Sequence, residues 1–324
     1  MALAIKTLFD KRQRALRRAK FYAWWNGDAF NEEAALAAIE RELAETATND
    51  AAEAELFDEP EYQLPPRLSA LAMLWGDGRV RPGDATADGL EPARLGLAPE
   101  GMLAVLGPGL AAPVIALADG HAGKIEVFEW REETLEALKH GVAKANLADR
   151  VSVTRIDLEA HVFTPAGYDG LLSTDDFAYC GYPPHLAQQI MKCLKPGACA
   201  VVETYVGLRG DEAFKSAFAS SFAEPQIRAH ADMLQFFTDA GLTLEADEDL
   251  TDEFLSMARD AFKALGERLT QGGGLEPAAG RELAWEAEAW RTRLKLLTQR
   301  RLERRRFILR KPTQDVANTN APAG

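Results

Sequence analysis

The sequence is poor in cysteine and contains no long uninterrupted hydrophobic run. Its 324 residues include three cysteines, Cys180, Cys193 and Cys199, and no pair has the spacing Cys-x-x-Cys. A disulfide framework or a cysteine zinc site is therefore not expected, and we predict no bound metal. The N-terminus lacks the apolar core of a signal peptide and no later run is long enough for a bilayer, so we expect a cytoplasmic protein without a transmembrane segment.

Positive charge is also scarce. The 37 lysines and arginines are outnumbered by 50 aspartates and glutamates, which leaves a net charge of −13. Nucleic acids and anionic lipids carry the same sign, so a general affinity for either is not expected. The basic residues concentrate in segments 1–20 and 291–311. Both segments leave two interpretations open, a surface for an acidic partner or membrane and an ordinary solvated helix face.

The most informative stretch covers residues 101–156. An apolar run at 102–106 stops at Gly107-Pro108-Gly109, and a second apolar run ends on Glu129, twenty positions after Gly109. A strand that glycines terminate before a helix exposes backbone N–H groups at a helix N-terminus. An acid at the end of the next strand is placed to accept hydrogen bonds from a ribose diol. The pattern predicts a nucleoside pocket.

The chain continues in a strand–helix rhythm. Residues 151–156 alternate into a third strand that ends on Asp157, residues 168–173 form a fourth, and residues 198–205 form a fifth. Alternating strands and helices predict a parallel sheet whose ligands lie at the carboxyl ends of the strands. Further helices are predicted at 31–43, 67–75, 132–146, 186–194, 211–222, 229–240, 252–269 and 281–305, a linker at 45–59 and a loop at 76–100.

The order of these signals resembles class I S-adenosylmethionine-dependent methyltransferases. Leu194-Lys195-Pro196-Gly197 resembles the turn before their fifth strand, and residues 307–311 resemble their last strand. The resemblance implies an α/β fold with a Rossmann-like, mostly parallel seven-stranded sheet, helices on both faces, an N-terminal helical extension and helical lid insertions. It divides the chain into the extension at 1–100, the cofactor-binding core at 101–207, the lid and final strands at 208–312, and a disordered tail at 313–324.

The resemblance also implies a cofactor, S-adenosyl-L-methionine. The glycine loop would hold its methionine part, Glu129 its ribose and Asp157 its adenine amino group. The expected cofactor-binding residues are Gly107, Gly109, Glu129, Trp130, Asp157, Leu158, Thr174 and Asp175. The chain departs from the family pattern at Val105, where an acid is usual, and at Ala111, where a third glycine is common. Pro108 also removes a backbone donor from the loop.

The sequence indicates the acceptor and the catalytic groups less directly than it indicates the cofactor-binding residues. Residues 173–177 lack the Asn/Asp-Pro-Pro-aromatic motif of many nucleic-acid base methylases, which together with the negative charge favours a small-molecule acceptor. Histidine is the side chain whose ordinary pKa lies nearest neutrality, so His185 is the best base candidate, although an ordinary surface histidine is an open alternative. Tyr179 and Tyr205 are the other catalytic candidates, since they follow strand four and end strand five.

Two other functions remain open. One is a catalytically inactive, methyltransferase-like assembly or regulatory protein, which would contact a protein partner or a second copy of itself through the N-terminal extension. The other is a nicotinamide-dependent dehydrogenase, because a Gly-x-Gly turn and a strand-end acid also suit NAD.

Overall fold

The computed structural model describes residues 31–41, 62–76, 78–207, 226–270 and 276–313, together with residue 16. The chain divides into two compact units, Met1–Glu61 and Tyr62–Gly324. The domain boundaries predicted from the sequence remain a prediction.

The described part of the first unit is a helix over residues 32–41. The side chain of Asn31 caps it by accepting a hydrogen bond from the backbone N–H of Ala34 at 3.1 Å. The predicted helix that starts at Asn31 is therefore confirmed over these residues. The predictions for segments 45–59, 211–222 and 314–324 fall outside the described residues, as does that for 1–20 apart from residue 16.

The second unit contains nine described helices and eight strands. The helices are α1 (Pro66–Trp75), α2 (Ala85–Arg94), α3 (Ala111–Gly120), α4 (Glu132–Lys144), α5 (Asp176–Tyr179), α6 (Pro183–Cys193), α7 (His230–Asp239), α8 (Thr251–Thr270) and α9 (Pro277–Thr298). The strands are β1 (Leu103–Leu106), β2 (Ile125–Glu129), β3 (Val151–Arg155), β4 (Tyr168–Thr174), β5 (Leu194–Gly207), β6 (Arg228–Ala229), β7 (Thr243–Asp249) and β8 (Leu302–Arg310).

The strands form one sheet in the order β3-β2-β1-β4-β5-β8-β7, with the short β6 paired to β5. All pairs are parallel except those of β8, which runs antiparallel to β5 and to β7. The predicted mostly parallel sheet is confirmed. Strand β7 was not predicted, because its sequence, Thr-Leu-Glu-Ala-Asp-Glu-Asp, is mostly charged. In the structure its residues are exposed or half-buried.

The centre of the sheet is apolar because helices cover both of its faces. All four residues of β1 are buried, as expected for a parallel strand between two helical layers. On one face they pack with side chains of α3 and α4, and on the other with side chains of α6 and α7. This arrangement leaves the carboxyl ends of β1 to β4 as the place where loops meet.

Helix α2 corrects the predicted loop over residues 76–100. The carboxylate of Asp84 caps it by accepting hydrogen bonds from the backbone N–H groups of Thr86, at 2.8 Å, and Ala87, at 3.0 Å. A Cβ on Gly120 would collide with the backbone of Gly89, so the two glycines let α2 and α3 approach closely. Gly89, one of the glycines that favoured a loop, thus lies at the contact between two helices.

A second correction concerns the segment before the last strand. The predicted helix over 281–305 ends at Thr298, and β8 already begins at Leu302. Residues 302–305 are strand because they pair with β5, and Arg305 also pairs with β7. Their basic sequence gave no alternating pattern that would have predicted this pairing.

The three cysteines are free and buried. Burial raises the pKa of Cys180 and Cys193 to about 12, so both thiols stay protonated at neutral pH. In the part of the chain that the structure describes, no helix is both long and apolar enough to cross a membrane.

The cap of α2 can be tested by substitution. We expect Asp84→Ala to lower the free energy of unfolding by about 1 kcal/mol, because two backbone donors lose their acceptor. Asp84→Asn is the matched control and should cost only a few tenths, since asparagine caps about as well. Urea denaturation of the two variants measures the difference, and equal costs would contradict the assigned cap.

Candidate functional site

The loop between β1 and α3 turns at the carboxyl edge of the sheet. Gly107 and Gly109 have φ angles of +59° and +82°, in the left-handed region that favours glycine. The N–H of Gly107 donates to the carbonyl of Phe128 at 2.9 Å. A Cβ on Gly107 would collide with the Asp176 carboxylate, and one on Gly109 would collide with Val80. Both positions therefore require glycine for space as well as for conformation.

The carboxylate of Glu129 holds this loop against the end of β2. The side chain is fully buried, and its oxygens accept hydrogen bonds from the backbone N–H of Gly109 at 2.8 Å and that of Arg131 at 2.9 Å. The guanidinium of Arg131 pairs with the same carboxylate at 3.0 Å. In this arrangement the predicted ribose acid is engaged with its own chain.

The segment before α2 covers the outer side of the glycine loop. The guanidinium of Arg81 donates to the carbonyl oxygens of Gly107, at 3.3 Å, and Pro108, at 3.2 Å. Val80 packs directly on Gly109. Sequence reasoning missed this cover, because no local pattern connects Arg81 to a loop 26 residues later.

A cavity of about 580 Å³ lies beyond the ends of β2 and β3. Its walls are Trp130, Arg155, Ile156, Asp157, Leu158, Glu159 and Tyr179. The rings of Trp130 and Tyr179 lie 4.6 Å apart. Asp157 is exposed, and its Oδ1 accepts the backbone N–H of Glu159 at 2.9 Å. Aromatic and apolar walls beside a carboxylate suit a planar, nitrogen-rich ring.

Asp175, which follows β4, is engaged with β8. It adopts a left-handed φ of +70° and forms an ion pair with Arg304, whose side chain is 2 % exposed. Arg304 also donates to Glu203 of β5 at 3.2 Å. Burial acts to raise the pKa of Asp175, but the guanidiniums of Arg304 and Arg81 outweigh it and lower the pKa. This carboxylate therefore stays ionised and ties β4 to β8.

A second, smaller cavity of about 110 Å³ lies beyond the ends of β4 and β5, beside α2 and the start of α8. It contains many charged side chains. Its polar lining consists of Arg79, Arg81, Asp84, Asp88, Glu91, Ser173, Thr174, Glu203, Glu253, Arg304 and Arg306. Burial raises the pKa of Glu91, whereas Arg304 and Arg306 overcome the effect of burial and lower the pKa of Glu203.

The three predicted catalytic side chains are not brought together. Tyr179 lines the larger cavity. Tyr205 is 3 % exposed, with the Arg304 guanidinium 4.9 Å from its ring centre. The Nε2 of His185 lies 3.2 Å from the backbone carbonyl of His161, in the connection between β3 and β4. The catalytic roles of these residues remain predictions.

The cofactor-binding candidates are placed at one edge of the sheet. Gly107 and Gly109 form the loop after β1, and the candidates that follow β2 to β4 are Glu129, Trp130, Asp157, Leu158, Thr174 and Asp175. Trp130, Asp157 and Leu158 share one cavity, while Thr174 lines the other. Their contacts with a cofactor remain predictions.

The strand order defines the fold. A parallel sheet in the order 3-2-1-4-5, completed by an antiparallel strand between β5 and β7, is the arrangement of the class I methyltransferase fold that the sequence resembles. The predicted Rossmann-like fold class is confirmed.

No family model and no curated protein match the sequence. Solved structures do match. One, from Galdieria sulphuraria and provisionally assigned as a sarcosine dimethylglycine methyltransferase, is 14 % identical, with a TM-score of 0.65 over 76 % of this chain and 99 % of that one. Phosphoethanolamine N-methyltransferase 2 from Haemonchus contortus is 18 % identical, with a TM-score of 0.65 over 76 % of this chain and 57 % of its own length.

The same fold also occurs in a protein that is described as a cyclase. The [4+2]-cyclase SpnF is 15 % identical, with a TM-score of 0.60 over 76 % of this chain and 93 % of that one. At such identities the likeness shows the fold, and the activity has to be argued from the site.

The buried Arg304 can be tested by removal. We expect Arg304→Met to lower the free energy of unfolding at pH 7 by about 3–5 kcal/mol, because the buried carboxylate of Asp175 then loses its ion-pair partner and Glu203 keeps only Arg306. The cost should shrink as the pH falls to 4 and below. The lowered pKa of Asp175 stabilises the wild type only above the ordinary carboxyl pKa, and this stabilisation is lost on acidification.

Arg300→Met provides the matched control for urea denaturation. Arg300 is half-exposed and pairs with Asp249 at 2.9 Å, so its removal should cost about 0–1 kcal/mol. Equal costs for the two arginines would contradict the structural role of Arg304.

Proposed function

We propose that the chain is an S-adenosylmethionine-dependent methyltransferase that acts on a small-molecule acceptor. The observation that carries the proposal is the cavity beyond β2 and β3, whose walls include Trp130, Asp157 and Leu158 directly beside the glycine loop. These are three of the residues expected to hold the nucleoside. Two of the structural neighbours are described in complex with S-adenosylhomocysteine or S-adenosyl-L-methionine.

The side chains that line this cavity would each contact a different part of the nucleoside. Trp130 and Leu158 would enclose the adenine ring, and the exposed carboxylate of Asp157 would accept a hydrogen bond from its amino group. The ribose hydroxyls would approach Glu129, which has to share its oxygens with Gly109 and Arg131. The cofactor supplies a methyl group on a sulfonium, so the protein needs mainly to align the acceptor and exclude water.

The cavity beyond β4 and β5 is the proposed acceptor site. Its volume of about 110 Å³ suits a molecule of few atoms, and its lining offers both guanidinium and carboxylate groups. A small polar or zwitterionic acceptor fits such a lining. The net charge of −13 argues against a polyanionic acceptor such as nucleic acid. Neighbours with this fold are described with small acceptors, including phosphomonomethylethanolamine.

A second candidate is a non-catalytic assembly or regulatory protein on the same scaffold. The observation that favours it is the cover on the glycine loop, where Val80 packs on Gly109 and Arg81 bonds to the carbonyls of Gly107 and Pro108. A ligand that uses the loop has to displace this cover or bind beside it. The antiparallel β8 makes the third alternative, a dehydrogenase, the weakest, because the dinucleotide-binding sheet is parallel there.

Calorimetry with S-adenosylhomocysteine, S-adenosylmethionine and NAD tests the proposal. We expect the wild type to bind both sulfur nucleosides and not NAD. Asp157→Asn should weaken S-adenosylhomocysteine binding by about tenfold, since one hydrogen bond to a charged acceptor is lost.

Asp149→Asn is the matched control. It changes an exposed carboxylate to an amide at the opposite end of β3, and its affinity should equal that of the wild type. Binding of neither sulfur nucleoside by the wild type would overturn the proposed enzyme in favour of the non-catalytic scaffold.

A further inference from the structure

Asp176 lies between two side chains that line different cavities. Its side chain is fully buried and accepts a hydrogen bond from the Ser173 hydroxyl at 2.6 Å and one from the Trp130 indole N–H at 2.8 Å. Ser173 lines the cavity beyond β4 and β5, and Trp130 lines the cavity beyond β2 and β3. The carboxylate also lies directly against Gly107 of the glycine loop.

The other buried acids at this edge of the sheet each have a guanidinium partner. Arg131 pairs with Glu129 at 3.0 Å, and Arg304 pairs with Asp175. Glu203 pairs with Arg306 at 2.6 Å. The described hydrogen-bond partners of Asp176 are the two neutral donors, and no described cation forms an ion pair with it.

Such a carboxylate is costly to ionise. Burial raises the pKa of Asp176 to about 6, although the Ser173 and Trp130 hydrogen bonds and the charge of Arg131 act in the opposite direction. A buried carboxylate that lacks a cation is stabilised either by a proton or by a positively charged ligand. The carboxylate lies against Gly107, in the loop that the resemblance assigns to the methionine part of the cofactor.

We propose that Asp176 is the carboxylate that binds the α-ammonium group of the S-adenosyl ligand, a role that rests on the methyltransferase function proposed above. The ligand's ammonium replaces the Trp130 indole N–H at Oδ1. Trp130 is only half-buried and lines the nucleoside cavity, so its ring has room to move toward that cavity. Ser173 keeps the second oxygen in place.

The test uses the full chain, the variant Asp176→Asn and three probes that differ in charge. An asparagine has the same shape and can still accept from Trp130 and bond to Ser173, so the fold should persist. S-adenosylmethionine carries a sulfonium, an ammonium and a carboxylate, S-adenosylhomocysteine carries the ammonium and the carboxylate, and 5′-methylthioadenosine carries none of these charged groups. We expect Asp176→Asn to weaken the first two by about 10- to 100-fold and the third by less than about twofold.

The dependence of binding on pH is a second readout. Around Asp176 lie the titratable or charged groups of Glu129, Arg131, Asp175, Tyr179 and Cys180. These are present in both proteins, so the difference between wild type and Asp176→Asn isolates the one carboxylate. As the pH falls from 7 to 5, wild-type affinity for S-adenosylhomocysteine should fall relative to that of the variant, because the proton competes with the ammonium.

Thermal unfolding without ligand is a third readout, which a mere loss of folding would not mimic. A carboxyl whose pKa is raised in the folded state destabilises it as the pH rises through that pKa. The melting temperature of the wild type should therefore decline relative to Asp176→Asn between pH 5 and pH 8. Asp149→Asn, at an exposed site, should follow the wild type throughout.

The outcomes separate this inference from the function on which it rests. Selective loss of the two amino-acid-bearing probes in Asp176→Asn supports it. Equal affinities of wild type and variant for all three probes would overturn it and leave the methyltransferase standing. A wild type that binds none of the three overturns both.

Discussion

The buried guanidinium of Arg304 connects strands β4, β5 and β8, and the candidate site depends on this connection. From β8 it pairs with Asp175 at the end of β4 and with Glu203 in β5, while its backbone N–H donates to Thr251 at the start of α8 at 3.0 Å. An arginine that is 2 % exposed requires these carboxylates, since an unpaired buried charge would be strongly destabilising. Arg304 reaches these carboxylates because β8 is inserted antiparallel between β5 and β7. The fold and the candidate site therefore depend on the same buried ion pairs.

In the glycine loop the chain's own side chains bond to the backbone groups. Glu129 accepts from the loop N–H of Gly109, and Arg81 donates to the loop carbonyls. These are the groups that a polar ligand at a helix N-terminus would use. Asp176 stands apart because its described partners are neutral. The site thus combines a loop that the chain's own groups cover with a buried acid that has no described ion pair.

Much of the fold could be predicted because its signals are local. The apolar runs of β1 and β2, the glycines between β1 and α3, and the order of strand-end acids all lie within a short stretch. The placements of Trp130, Asp157 and Leu158 in one cavity followed from the rule that parallel strands end at one edge. Helix α2 and strand β7 were missed, because close glycine contacts and pairing with β8 outweigh their local composition.

The sequence by itself determined the order of the strands from β1 to β5, the end of β1 at Gly107-Pro108-Gly109 and the excess of negative charge. Only the tertiary structure decided which charges meet. Arg304 and Asp175 are 129 residues apart, and Trp130 and Asp176 are 46 apart. No local pattern selects such partners, because desolvation of a charge and its pairing depend on which chain segments pack around it. The structure therefore decided that Asp175 pairs with Arg304, whereas the described hydrogen-bond partners of Asp176 are neutral.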